Sequence, residues 1–359
     1  MSVHFGHESM QSQSDLFMQF SGRDFDSECY DMLASNMETC HTFRYVDLMD
    51  MDFNMARSKA MVTMLQSCSQ LSTLSLVNVK VGAEFFGALS ALLASNRSLA
   101  SLSLVRVNLS SVQDGMVLAD GLKKNSTLTC LNLSRNFFDP DVSEVLVQSL
   151  TNNQNLTKLE LVEDRLTNRH IEALTMWLAT SRKTSLKSLN VRENAASGKE
   201  YAELFAQIID RNTTLKELYL DGFILDHQAG EALAAALSHN QTLTNLNLDL
   251  VTFSQDGCLE FVEGLKRNKT LTRLNLPPSA YSPTCIGALQ DMLEHNTGLI
   301  ILERSGAVIA DNDTATLRSR LEANANLRFY TIPIILMHRF HLSGREVPYD
   351  LKQIIVDYI

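Results

Sequence analysis

The chain has 359 residues, of which 45% are hydrophobic, so it is long enough and apolar enough to build a large core. Its formal net charge is −10, and no run of Lys and Arg reaches the density of a phosphate-binding stripe. This balance disfavours nucleic acid and acidic membrane surfaces as partners. The longest strongly apolar stretch, near 332–337, is far too short to span a bilayer, so we expect no membrane insertion.

The N-terminal segment 1–14 is polar and lacks both the basic and the apolar part of an export signal. Six cysteines are scattered without paired spacing, which is typical of reduced thiols in a cytosol. The sequence therefore predicts a cytoplasmic protein. It shows no metal-ligating cluster and no glycine-rich phosphate loop, so we expect neither a metal nor a cofactor.

A self-similar unit of 28 to 30 residues repeats along most of the chain. Each unit opens with the pattern Leu-x-x-Leu-x-Leu, and the first leucines are Leu71, Leu99, Leu128, Leu156, Leu186, Leu215, Leu243 and Leu271. A fixed period of this length is typical of a solenoid, in which each unit contacts only its neighbours. We therefore expect one elongated domain rather than several globular ones.

Each unit is predicted to contain one strand and one helix. In the unit that opens at Leu215, the alternation around Leu218 and Leu220 favours a half-buried strand. Further along, Leu233 and Leu237 lie four residues apart among good helix formers, so they share one face of a helix. The same apolar pair recurs as Leu89/Leu93, Leu118/Leu122, Leu146/Leu150, Leu174/Leu178, Leu204/Ile208, Phe261/Leu265, Leu289/Leu293 and Leu317/Leu321.

The same spacing sets the predicted boundaries. Counting back from Leu71 by the period places degenerate units at Phe43 and at Asp15. We therefore predict an N-terminal cap with one degenerate repeat over 1–42, the repeat array over 43–326, and a C-terminal cap over 327–359. Arg304 interrupts the strand pattern of the last full unit and marks the decline of the array.

An asparagine stands three residues before most units: Asn96, Asn125, Asn153, Asn212, Asn240, Asn268, Asn296 and Asn324. Asn tolerates the left-handed conformation that often ends a helix. We therefore expect these residues to close the helices through their backbone and assign them no function.

The segment from Gly230 to Leu248 resembles the leucine-rich repeat of the ribonuclease-inhibitor-like subclass, which also occurs in cytosolic immune sensors and some bacterial effectors. The resemblance implies an α/β horseshoe with a parallel sheet on the concave face and helices on the convex face. Eight residues after the first leucine, the family usually carries an Asn or Cys that forms a ladder along the loops. Only Asn136 and Asn194 keep Asn, with Asp164 a near match, so we expect a partial ladder and irregular loops.

In such a horseshoe, the strand residues between the leucines face the concave side and are expected to have no structural duty. They are small or apolar in the first units, such as Ser75 and Val77, and become polar further along. The candidate partner-binding residues are Lys158, Glu160, Asn190, Arg192, Glu217, Tyr219, Asp221, Asn245, Asn247, Asp249, Arg273 and Asn275. A tyrosine among carboxylates, amides and arginines on a rigid sheet is typical of a protein-binding surface, whereas a merely solvated surface is the alternative.

A catalytic interpretation has less support. Glu160, Glu163, Asp164, Arg192 and Glu193 lie on adjacent units and resemble a paired-carboxylate site. No nucleophile or metal cluster accompanies them, so we expect solvated charge and no enzyme.

The final segment places Leu351, Ile354, Ile355 and Tyr358 on one helical face, which predicts a helix that caps the last repeat. The same segment resembles the first helix of an F-box, and this gives the alternative of a ubiquitin-ligase substrate receptor. The main prediction is a monomeric, non-enzymatic protein-binding scaffold, either a stand-alone regulator or a bacterial effector acting in a host cell.

Overall fold

The structure is a computed structural model that describes residues 16–21, 43–53, 55–82, 84–109, 111–137, 140–151, 153–164, 166–180, 184–194, 199–304, 307–308 and 316–325. Within these ranges twelve strands form one sheet in the order of the chain. They are β1 Leu16–Ser21, β2 Phe43–Met49, β3 Thr73–Val77, β4 Ser101–Val105, β5 Cys130–Asn132, β6 Lys158–Glu160, β7 Ser188–Asn190, β8 Glu217–Leu225, β9 Asn245–Phe253, β10 Arg273–Leu276, β11 Ile301–Arg304 and β12 Ala307–Val308.

Helices alternate with these strands from β2 onward. They are α1 Met55–Ser67, α2 Phe85–Ser95, α3 Val112–Lys124, α4 Pro140–Leu150, α5 Asn168–Thr180, α6 Lys199–Arg211, α7 His227–His239, α8 Gln255–Leu265, α9 Pro283–His295 and α10 at 316–325. Neighbouring strands from β1 to β11 pair in parallel, and β12 pairs antiparallel with β11. The helices α1 to α9 each carry the chain from one strand to the next parallel strand, which confirms the predicted α/β solenoid.

The predicted apolar columns form the core between the sheet and the helices. Leu218 and Leu246 of the strands are fully buried, and so are Leu233 and Leu237 of α7. One continuous cluster of buried apolar side chains runs from Phe43 to Leu317. Each unit buries its leucines only with the help of its neighbours, which explains why the array forms one body.

The recurring asparagines stabilise the array through their side chains, and the expected left-handed backbone is wrong. Asn96 has φ −69° and ψ 139°, and Asn240 has φ −68° and ψ 128°, which is extended backbone. In Asn268, Oδ1 accepts hydrogen bonds from the backbone N–H groups of Thr270 (3.0 Å) and Leu271 (2.7 Å). Its Nδ2 donates to the carbonyl of Leu237 in the previous unit (2.7 Å).

This pattern recurs in Asn125, Asn212, Asn240 and Asn296, and we call the column the turn ladder. The turn ladder is incomplete near the middle of the array. Asn153 binds the following turn through Oδ1, but its buried Nδ2 has no acceptor among the described residues. In the next unit the corresponding position, 183, is a lysine. There the Thr184 hydroxyl accepts from the N–H of Leu186 at 3.2 Å.

A second column, the loop ladder, consists of Asn136, Asp164 and Asn194, as the resemblance implied. Asn136 accepts from the N–H of Val107 (3.0 Å), Asp164 accepts from the N–H of Asn136 (2.6 Å), and Asn194 accepts from the N–H of Asp164 (2.9 Å). The expected partial ladder is therefore confirmed.

The loops that lack a ladder residue satisfy their backbone groups in another way. In the units of β8 and β9, the strands run for nine residues and continue to pair up to Leu225 and Phe253. Their register shifts between Tyr219 and Ile224. In the loop-ladder units the strands β5, β6 and β7 have only three residues each. The backbone groups of the loops are therefore satisfied by ladder side chains in some units and by continued strand pairing in others.

The predicted caps lie mostly outside the described residues. This holds for the N-terminal cap except β1 and for the C-terminal helix over 347–359, which remain predictions. No helix in the described ranges is long and apolar enough to cross a bilayer.

Candidate functional site

The register of the sheet aligns the polar strand residues in two rows across its exposed face. The first row is Lys158, Ser188, Glu217, Asn245 and Arg273. The second row is Asn132, Glu160, Asn190, Tyr219, Asn247 and Asn275. We call the surface formed by both rows the sheet face. It brings the candidate residues of five neighbouring strands onto one surface.

Tyr219 lies at the centre of the sheet face. Its hydroxyl donates to Oε2 of Glu217 (3.3 Å) and accepts from Nδ2 of Asn245 (3.2 Å). Partial burial and the neighbouring Glu217 carboxylate raise the pKa of Tyr219, so it carries no charge near neutral pH. The ring is half-buried, and the contacts of its hydroxyl with Glu217 and Asn245 fix its orientation.

A second network surrounds Glu160. Its carboxylate accepts from Nζ of Lys158 (2.7 Å) and from Nδ2 of Asn132 (2.7 Å). The hydrogen bond to Glu160 raises the pKa of Lys158. Asn132 is the first polar residue of the strand series from Cys130 onward in the sequence, and its pairing with Glu160 places it in the second row.

The asparagines of the second row have a structural duty, contrary to expectation. Oδ1 of Asn190 accepts from the N–H of Arg192 (3.2 Å), and Oδ1 of Asn247 accepts from the N–H of Asp249 (3.0 Å). These bonds satisfy backbone donors where the strands turn into loops. In Asn190 and Asn247, only the Nδ2 groups remain to meet a partner.

Arg192 is also less available than expected. Its guanidinium crosses the intervening strand β8 and lies 3.8 Å from the carboxylate of Asp249, two units away. The two side chains are 30% and 17% exposed, so neither faces solvent fully. Asp221 lies between them in β8, but its side chain is outside the described part of the structure.

The residues of β10, at one end of the two rows, differ in exposure. Arg273 is exposed in the first row. Asn275 is only 4% exposed, so little of its side chain is accessible to a partner. Ser188 is buried as well, and this small residue separates Lys158 from Glu217 in the first row. The exposed polar surface is therefore centred on β6 to β9, with Arg273 at its edge.

The five residues of the catalytic alternative do not assemble into one site. Glu160 belongs to the network of Lys158, and Glu163 pairs with Arg135 at the loop edge. Glu163 and Glu193 share a hydrogen bond that lowers the pKa of Glu163 and raises the pKa of Glu193. Asp164 is fully buried in the loop ladder. Within the described ranges, no group of three or more His, Cys, Asp or Glu residues is placed to hold a metal ion.

The helical side carries two open grooves. One lies between α3 and α4, with a volume of about 520 Å³, and the other between α4 and α5, with about 430 Å³. Met116 and Met176 line them and are 44% and 70% exposed. The α4–α5 groove also contains a polar network, in which Glu144 accepts from Arg169 (2.7 Å) and Gln148 (3.3 Å), but it has no tyrosine held by hydrogen bonds.

No protein-family model and no curated protein sequence matches the chain. Among solved structures, the leucine-rich repeat-containing protein LegL7 from Legionella pneumophila is similar over 85% of this chain and 98% of its own, with 16% identity and a TM-score of 0.53. Two matches cover less of this chain. Leiomodin-1 actin-binding site 2 is 22% identical over 47% of this chain and 94% of its own, with a TM-score of 0.39. The Caenorhabditis elegans tropomodulin C-terminal domain is 20% identical over 44% of this chain and 93% of its own, with a TM-score of 0.35.

The similarity to LegL7 concerns the fold alone, because the identity is low. It agrees with the features described above: repeated strand, loop and helix units, one sheet in chain order, leucine columns and a loop ladder. The chain therefore has the leucine-rich repeat fold.

Proposed function

We propose that the chain is a non-enzymatic scaffold that binds a protein partner on the sheet face around Tyr219. The observation that carries this proposal is the fixed tyrosine: its ring is half-buried, and its hydroxyl is held by Glu217 and Asn245 on rigid strands. A preorganised aromatic side chain loses little conformational entropy on binding. Tyrosine is also enriched among the residues that dominate interface energies.

The hydrogen bonds within the sheet face indicate what the partner presents. The carboxylates of Glu160 and Glu217 already have donors within the protein, and that of Asp249 lies 3.8 Å from the guanidinium of Arg192. The amide nitrogens of Asn190 and Asn247 flank Tyr219 in the second row, and neither has an acceptor among the described residues. We infer that the partner offers hydrogen-bond acceptors beside an apolar group that covers the ring.

Replacing Tyr219 with Ala tests this proposal. We expect the free energy of partner binding to weaken by at least ~2 kcal/mol, because the variant removes the central ring. Tyr219→Phe keeps the ring and loses only the hydroxyl, so it should weaken binding less. Both variants should remain folded at the temperature of the titration, which circular dichroism checks. The measurement is calorimetric titration with a partner captured from a lysate.

The matched control is Glu231→Ala, a change of an exposed residue of α7 on the helical side. It should leave affinity unchanged. Met176→Lys alters the exposed methionine of the α4–α5 groove. Affinity that survives Tyr219→Ala but falls with Met176→Lys would contradict the choice of face. Arg192 is unsuitable as a test position because its ion pair with Asp249 links binding to stability.

The ubiquitin-ligase receptor alternative depends on residues 347–359, which lie outside the described ranges. An adaptor that binds the full chain and is lost when this segment is deleted would favour it. The cytoplasmic location, the monomeric state and the effector role remain predictions from the sequence.

A further inference from the structure

The loop ladder contains one acid among amides. In Asn136 and Asn194, Oδ1 accepts backbone N–H groups while Nδ2 donates to carbonyl oxygens. Nδ2 of Asn136 donates to the carbonyl of Leu133 (2.6 Å), and Nδ2 of Asn194 donates to the carbonyl of Val191 (2.7 Å). Each acceptor lies three residues before the ladder residue. The amide therefore serves two opposite hydrogen-bonding needs at once.

Asp164 occupies the same place in the unit between them. Its Oδ1 accepts from the N–H of Asn136 at 2.6 Å, as an amide oxygen would. Its Oδ2 stands where the amide nitrogen would be, is buried, and has no hydrogen-bond partner among the described residues. By analogy with Asn136 and Asn194, the acceptor for this position is the carbonyl of Leu161, three residues earlier, which also accepts from Nδ2 of Asn194 (2.8 Å). A bare carboxylate oxygen there would face carbonyl oxygens, whereas an O–H group would donate to them.

We propose that Asp164 takes the place of the ladder amide as a neutral carboxylic acid. Loss of its proton would release the loop that contains Asn136 and Phe137 from its hydrogen bond to Asp164. This device is independent of any partner on the sheet face.

The surroundings of Asp164 favour the neutral form. Burial raises the pKa of Asp164 to about 8, against the opposing effect of the backbone N–H groups of Asn136, Phe137 and Arg135. The carboxylate of Glu163 acts in the same direction as burial. On the neighbouring loops, Arg135 pairs with Glu163, and Glu193 shares a hydrogen bond with Glu163.

The loop that Asp164 holds is strained. Arg135 and Phe137 have φ values of 65° and 53°, in the left-handed region that non-glycine residues rarely adopt. The Phe137 side chain is nevertheless 43% exposed, so burial of its ring contributes little to fixing this conformation. The hydrogen bond from the N–H of Asn136 to Asp164 supplies the constraint next to Phe137, and the backbone bond from the N–H of Arg135 to the carbonyl of Val162 (2.9 Å) supplies it at Arg135, since a strained backbone persists only where its surroundings determine it. An ionised Asp164 would be a buried charge, and opening the loop to water would relieve it.

The test compares the full chain with Asp164→Asn by chemical denaturation across pH 5 to 9. Above pH ~4 the unfolded chain has lost a proton that the folded chain keeps, so wild-type stability falls as the pH rises towards the folded-state pKa. Relative to the variant, the unfolding constant of the wild type should rise about tenfold for each pH unit between ~5 and ~7. Parallel pH profiles for the two proteins would overturn the proposal.

A second measurement does not depend on the variant. In the wild type labelled with ¹³C at aspartate carboxyl groups, the Asp164 signal should titrate near pH 8 and not near pH ~4. Amide hydrogen exchange at Asn136 and Phe137, corrected for the intrinsic pH dependence, should accelerate as that signal titrates. A carboxyl that titrates near pH ~4, or exchange that stays independent of its titration, would contradict the proposal.

Discussion

Replacing Asn268 with Ala is expected to lower the free energy of unfolding by about 4 kcal/mol, because several buried hydrogen bonds are lost together. The N–H groups of Thr270 and Leu271 would lose their acceptor, and the carbonyl of Leu237 would lose its donor. Asn268 is only 1% exposed, so water cannot easily replace these partners. Chemical denaturation followed by circular dichroism measures the effect.

Two variants control this experiment. Arg267→Ala changes the exposed neighbour of Asn268 and should alter the free energy of unfolding by no more than ~0.5 kcal/mol. Asn268→Asp retains an acceptor for the turn but loses the donor to the previous unit, so its loss should be intermediate. Equal stability of the Asn268→Ala and Arg267→Ala variants would show that the turn ladder does not stabilise the array.

Leu246→Ala should cost ~2–5 kcal/mol, because Leu246 of β9 is fully buried in the layer between the sheet and the helices. The smaller side chain leaves a cavity that neighbouring units fill only in part. Leu246→Met conserves the volume and should cost less than ~1.5 kcal/mol. Thermal melts of both variants provide the comparison, and similar melting temperatures would contradict the stacked core.

The leucine columns allowed the fold to be predicted, since burial of a strand or helix face depends on spacing along the chain. Leu218, Leu233 and Leu237 are buried as that spacing requires. The asparagine column was found but misinterpreted. Its cause is a hydrogen bond from Asn268 to the carbonyl of Leu237, 31 residues earlier, which exists only once units stack.

The candidate site was predicted less completely for the same reason. Alternation placed Tyr219 and Glu217 on the exposed face, and the structure brings them together there. It gave no sign that Arg192 reaches across β8 to Asp249, because side-chain length and the size of the intervening groups decide that contact. Nor did alternation predict the burial of Asn275, because strand period alone does not report what covers the edge of the array.

The gap in the turn ladder has a mechanical consequence. Among the described residues, the edge where helices lead into strands lacks the inter-unit bond of the Asn153 amide. Nδ2 of Asn155 donates to the carbonyl of Ser126 in the previous unit instead, and the two open grooves flank α4 in the same units. On the opposite side, the loop ladder of Asn136, Asp164 and Asn194 ties these units together. Neighbouring units that share more hydrogen bonds along one edge than along the other bend more easily about the edge with more bonds. The array should therefore be most compliant here, and bending would change the curvature that the sheet face offers to a partner.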